Sequence, residues 1–246
     1  MNKINYSFLV TSIAGLSTLI GYLMIFIKGD KNKIIAFSLA FSSSVMLTIS
    51  TIDLIPSSLS YLNNYMIIFR ILLFLFFFNI GIFLSYFISL KIGEKNFNSL
   101  KKIGIISMIA IILHNIPEGI ITFMVSGVDI RLGISLAIAI GMHNIPEGIS
   151  IAIPYYYATH KNLKTFFMVF LAGFSEILGA MLCYCFFKNI INDLIIGVFL
   201  SLTSGIMIYI SINELIPKSL SYQNKKILVL GFFLGFIVML LSHLAF

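Results

Sequence analysis

A six-residue string, His114-Asn115-Ile116-Pro117-Glu118-Gly119, returns letter for letter as His143-Asn144-Ile145-Pro146-Glu147-Gly148. In each copy a His and a Glu stand four residues apart, so on a helix they share one face, with an Asn beside the His. Two copies supply two imidazoles, two carboxylates and two amides. Imidazole with carboxylate suits borderline divalent ions such as Zn²⁺, Fe²⁺, Mn²⁺ or Co²⁺. The lack of thiolate ligands argues against copper(I) or a structural zinc site. A single His-x-x-x-Glu is usually a surface pair or a buried hydrogen bond, but its exact duplication inside apolar sequence points to a metal centre. Pro117 and Pro146 each remove a backbone donor and clash with the preceding turn, freeing the carbonyls of Leu113 and Met142. This predicts kinked, partly unwound helices lining a cavity. Gly119 and Gly148 then permit close approach of a neighbouring helix.

The elements that must hold these residues are membrane helices. Of the 246 residues, 59% are hydrophobic and only 10% charged, with a mean hydropathy of +1.06. A soluble domain carries about 25% charged residues. Apolar runs long enough to span a bilayer, about 20 residues each, are predicted at 6–27, 34–54, 68–90, 103–123, 132–153, 165–187, 194–215 and 226–245. Eight helices joined by short loops make residues 1–246 one transmembrane domain, with no room for a soluble one. The first run is followed by Lys28 rather than a small-residue cleavage site, and reads as a span, not a signal peptide.

The net charge of +7 is explained by topology. Twelve of the sixteen basic residues fall in the loops after helices 1, 3, 5 and 7: Lys28, Lys31, Lys33, Lys91, Lys95, Lys101, Lys102, Lys161, Lys164, Lys218, Lys225 and Lys226. Only Lys3, Arg70, Arg131 and Lys188 lie on the other side. The positive-inside rule puts the first set in the cytoplasm and both termini outside. The basic balance therefore implies a lipid bilayer as partner and no nucleic acid.

Five of the nine acids lie in or at the ends of spans: Asp53, Glu118, Glu147, Glu176 and Glu214. A charge at the bilayer centre costs about 2.5–3.5 kcal/mol on insertion scales. No intramembrane Lys or Arg can pair with Glu118, Glu147 or Glu176, so a divalent cation is the natural counter-charge. Glu176 sits deep in helix 6 between small residues, which suits close packing around a polar site. Asp53, at the outer end of helix 2, is either a cation-collecting residue or a solvated helix end. Cys183 and Cys185 are too close to bridge each other and read as packing residues. The Phe-rich helix 3 has Asn79 as its one conspicuous polar group. His160 reads as a surface residue and His243 as interfacial.

An internal repeat orders the helices. With an offset of 161, ten of the sixteen positions in 46–61 are identical in 207–222, with Asp53 facing Glu214 and Leu54-Ile55-Pro56 facing Leu215-Ile216-Pro217. Helices 2 and 7 are expected to break at those prolines. They run in opposite directions, so the repeat is inverted, as in many secondary transporters. Helix 2 matches 7 while 4 matches 5. The fold class is thus an all-α polytopic bundle of 3+2+3 helices, with helices 4 and 5 on the pseudo-twofold axis.

At these residues the sequence resembles the ZIP family of divalent metal transporters, its bacterial members in particular. The resemblance covers all eight helices and is carried most specifically by the paired hexapeptides, the Glu176 segment and Glu214-Leu215-Ile216-Pro217. It implies a binuclear centre, one site from His114, Glu118, His143 and Glu147, the other from Asn115, Asn144 and Glu176, with Glu118 and Glu147 bridging. The loop between helices 3 and 4 has no His, unlike the metal-buffering loops of many eukaryotic members.

The expected function is uptake of divalent transition metals, zinc and also iron, manganese or cobalt, across the bacterial inner membrane. The metal is cargo and no resident cofactor is expected. Asp53 would collect ions outside and Glu214 help release them inside. The alternative is a membrane-embedded metal-dependent hydrolase with Glu as general base, but His-Glu-x-x-His is absent and the motif is symmetric. Gly231-x-x-x-Gly235 permits a homodimer.

Overall fold

The computed structural model describes residues 3–94, 98–187 and 192–245, so Lys95 and Lys188 of the charge count lie outside the described residues. Eight helices in it are long and apolar enough to cross a membrane: α1 Lys3–Phe26, α2 Lys31–Tyr61, α3 Ile67–Gly93, α4 Ser99–Val128, α5 Gly133–Thr159, α6 Asn162–Phe186, α7 Asp193–Leu220 and α8 Lys225–Leu244. Most outrun the apolar windows because polar residues cap them outside the greasy stretch. Asp30 accepts from the backbone N–H groups of Asn32 and Lys33, Asn98 from that of Leu100, and Asn192 from that of Ile195. Each satisfies donors left orphaned by a helix start.

The prolines act differently from expectation. Pro56 and Pro217 do not end α2 and α7. A π turn, Ser50–Leu54 in α2 and Ser211–Leu215 in α7, immediately precedes each proline turn, and the helix continues beyond it. The N–H groups of Ile55 and Ile216 reach back five residues, to Ser50 and Ser211. A wider turn makes room for the proline ring without breaking the helix. Pro117 and Pro146, by contrast, sit inside continuous α-helix, so the predicted unwinding at the hexapeptides does not occur.

Packing grades the helices from centre to rim. In α2, 72% of the apolar window is buried and in α5 67%, against 11% in α3 and 22% in α8. α2 and α5 are therefore inner helices, and α3 and α8 face lipid. Lipid offers no hydrophobic drive for helix association, so contacts rest on small residues and hydroxyl-to-carbonyl bonds. Several of these are reciprocal. Ser58 Oγ donates to the Gly197 carbonyl (2.9 Å), and Ser219 Oγ, at the matched position, donates to that of Ala36 (2.8 Å). Gly15 of α1 and Gly173 of α6 each lie against the other's carbonyl.

The lysine-bearing helix ends gather on one face of the bundle. Lys31 Nζ reaches the Tyr157 carbonyl at 3.2 Å and Lys218 Nζ reaches Ser99 Oγ at 2.9 Å. Gly231 and Gly235 of α8 pack on Phe37, Ala40, Phe41 and Ser44 of α2. The Gly-x-x-x-Gly motif is thus spent inside the monomer and does not offer a dimer face.

Candidate metal centre

The two hexapeptides lie on α4 and α5, which pack against each other. Each is seated on a further helix by the same two devices. On α4, Asn115 Nδ2 donates to the Ala172 carbonyl of α6 (3.0 Å), and Gly119 rests on the Glu176 carbonyl. On α5, Asn144 Nδ2 donates to the Ala14 carbonyl of α1 (2.9 Å), and Gly148 rests on the Thr18 carbonyl. Thr18 therefore occupies in α1 the place that Glu176 occupies in α6. Thr18 carries no sequence signal that would have marked it.

Between these supports the His and Glu side chains converge. Glu118 Oε1 lies 3.2 Å from His114 Nε2 and 3.3 Å from His143 Nε2. His114 Nε2 is also 3.2 Å from Glu147 Oε1, and the imidazole centroids are 6.3 Å apart. Among the described residues, His114, His143 and Glu147 present ligand atoms that all lie within 4.8 Å of one another. Glu176 joins from α6: Asn144 Nδ2 donates to its Oε1. Glu147, Glu176, Asn115 and Asn144 are fully enclosed, and Glu118 is 5% exposed.

The centre is short of donors. Both Glu147 oxygens, Glu176 Oε2 and the side-chain carbonyls of Asn115 and Asn144 are buried with no hydrogen-bond donor among the described residues. Glu147 Oε1 is close to His114 Nε2 without forming a hydrogen bond to it, so the contact is one of proximity. Buried acceptors without partners cost about 1–3 kcal/mol each, more when charged. A cluster of carboxylate and amide oxygens with imidazole nitrogens fits a divalent cation, which would satisfy several of them at once.

A cavity of about 560 Å³ reaches this centre from one side, meeting Glu118 and His143. Its walls carry Asp53, Ser57, Tyr61 and His243 at the end away from the lysine-rich loops. Asp53 lines this cavity and accepts from Ser57 Oγ at 3.1 Å. His243, read as interfacial from sequence, lines the same cavity. Glu214 does not line it; on the lysine-rich half of the bundle, Ser89 Oγ of α3 donates to its Oε1. His160 is exposed, beside the Tyr156 ring. Cys183 is buried and Cys185 exposed, and both are free thiols.

Fold and site together define a polytopic membrane protein with a buried His/Glu cluster that fits a metal ion, approached by a cavity from one side. Comparison with known proteins makes the class specific. The family profile described as ZIP zinc transporter matches residues 89–243. A zinc transporter ZupT of Clostridium perfringens is 34% identical, over 100% of this chain and 98% of the relative. ZupT proteins of Streptococcus mutans and Campylobacter jejuni are 36% and 35% identical, with 96–98% of each chain covered. The chain belongs to the ZIP zinc transporter family.

Proposed function

We propose that this protein carries zinc, and with it Fe²⁺, Mn²⁺ or Co²⁺, through a bacterial cytoplasmic membrane into the cell. The observation that carries the reading is the donor-poor, buried oxygen and imidazole cluster at the end of a cavity, together with relatives named as zinc transporters. His114, Glu118, His143 and Glu147 hold one ion. Asn115, Asn144 and Glu176 hold the neighbouring one, with Glu118 and Glu147 shared. The reciprocal seating of the hexapeptides on α1 and α6 supports an inverted repeat about an axis between α4 and α5. The chain is a carrier of its metal and does not use it for chemistry, so no enzymatic step is assigned.

The positive-inside rule sets the lysine-rich face in the cytoplasm and both termini outside. The cavity then opens outward. Asp53 draws cations into it, and Glu214, now engaged by Ser89, takes part in release when the inner side opens. The test is zinc uptake into proteoliposomes by wild type, Glu118→Ala and His143→Ala. Loss of a ligand costs at least what loss of an outer-shell partner does, about 10–100-fold. Uptake by either variant at the wild-type rate overturns the assignment.

A further inference from the structure

The wall of the outer cavity has matched residues on the lysine-rich half of the bundle. With the offset of 29 that aligns the hexapeptides, Leu136, Ala139 and Ile140 fall on Ser107, Ala110 and Ile111 of α4. With the offset of 161, Asp53 and Ser57 fall on Glu214 and Lys218 of α7. Packing supplies the last match. Gly81 of α3 rests on the Leu202 carbonyl of α7, and Gly235 of α8 rests on that of Phe41, the position of α2 aligned with Leu202. His243 therefore falls on Ser89.

The two sets differ in what they do. Leu136 and Ala139 are part-exposed on the open cavity, whereas Ser107, Ala110 and Ile111 are 1–3% exposed in an apolar plug with Ile103 and Ile106. Ser107 Oγ is enclosed there with no hydrogen-bond partner among the described residues, a cost that water would remove once the plug opened. At the outer mouth, Asp53 accepts from Ser57 of its own helix. At the inner mouth, both matched residues reach other helices. Glu214 accepts from Ser89 of α3, and Lys218 Nζ donates to Oγ of Ser99, the first residue of α4 (2.9 Å). The Lys218 ammonium also lies 5.6 Å from the centre of the Tyr222 ring.

We propose that Lys218 is a positioning residue of the transport cycle, a latch that joins α7 to α4 and keeps the inner mouth shut while the outer cavity is open. Lysine carries its donors on a four-carbon stem and can span the mouth. Ser57, which takes its place in the repeat, is short and bonds within its own helix. Release then requires the Lys218–Ser99 bond to part. Ser107, two turns from His114 on one face of α4, comes to line the way out. A single solvent-exposed bond biases the two states only several-fold, so it delays opening without preventing it.

The latch rests on the uptake reading above, so it is read by thiol accessibility without zinc, and either can fail without the other. The full chain, with Cys183 and Cys185 replaced by Ser, carries Ser107→Cys or Leu136→Cys in inside-out and right-side-out membrane vesicles. A membrane-impermeant maleimide then reports access from each side. Lys218→Ser speeds labelling of Ser107→Cys from the cytoplasmic side roughly threefold, the effect of one exposed hydrogen bond. It does not speed labelling of Leu136→Cys from outside, as general loosening would. Ser99→Ala has the same effect with no change of charge, and zinc uptake by that variant verifies that it folds. Lys218→Arg, which keeps a donor, stays near wild type, as does Lys225→Ser, at an exposed lysine that starts α8. Unchanged labelling of Ser107→Cys in both Lys218→Ser and Ser99→Ala, an equal rise in Lys225→Ser, or a matching rise at Leu136→Cys overturns the latch. Absence of zinc uptake by the wild type overturns the uptake reading instead.

Discussion

Gly119 lies directly on the backbone carbonyl of Glu176, with no room for a Cβ between them. One hexapeptide therefore fixes the place of an acid 57 residues further along the chain. The packing contact and the metal centre are one construction, since whatever parts α4 from α6 also moves Glu176 away from Glu118 and Glu147.

That relationship predicts an asymmetry between glycines of one helix. Gly119→Ala forces α4 and α6 apart, as overpacking does, at about 1–3 kcal/mol. It should lower thermal stability in detergent and abolish zinc uptake. Gly127→Ala, whose added methyl meets only Ser7 Oγ at 3.5 Å, should leave both near wild type. Equal effects of the two substitutions would contradict the packing argument.

Metal should stabilise the fold through this centre. A ligand bound only by the native state at a hundredfold excess over Kd adds about 2.7 kcal/mol. Zinc should raise the Tm of wild type in detergent. It should not raise that of Glu147→Ala, because both Glu147 oxygens are among the orphaned acceptors that the ion satisfies. A zinc-induced rise of the same size in that variant would show that the ion binds elsewhere.

Protons compete with the metal. A ligand carboxylate must be ionised and a ligand imidazole neutral, so bound metal excludes protons from the site. Uptake should therefore fall as external pH drops and protons displace the metal. The measurement is initial zinc uptake in proteoliposomes between pH 7 and 4 at fixed free zinc. A flat profile would be inconsistent with carboxylate and imidazole ligands.

Asp53 lines the cavity without touching the centre, and its effect should be on capture. Asp53→Asn removes a negative charge at the mouth and lowers the local cation concentration. Apparent KM should rise roughly threefold at low salt with little change in maximal rate, and the effect should shrink as ionic strength rises. A fall in maximal rate with unchanged KM would place Asp53 in a later step.

The eight spans were legible because a bilayer demands about 20 apolar residues wherever it is crossed. Their ends were not. Asp30, Asn98 and Asn192 start helices outside the apolar runs, and α2 carries on past Pro56 to Tyr61 by means of a π turn. The doubled hexapeptide could be read because residue type and spacing are repeated in full, and Glu176 because a buried acid is costly wherever it occurs. Thr18, Ser89 and His243 could not be read. Each is a single common residue whose role depends on a partner far away in sequence: Thr18 on Gly148, Ser89 on Glu214, and His243 on the wall opposite it. The prolines misled because Pro117 and Pro146 carry the motif, whereas the helix widens at Pro56 and Pro217 instead.

The two hexapeptides and Glu176 are expected to form one metal centre. Its most direct test is anomalous diffraction at the zinc edge from crystals grown with zinc. Density is expected among His114, Glu118, His143 and Glu147, with a neighbouring peak against Asn115, Asn144 and Glu176. Zinc bound elsewhere in the protein, with no density between those side chains, would contradict it.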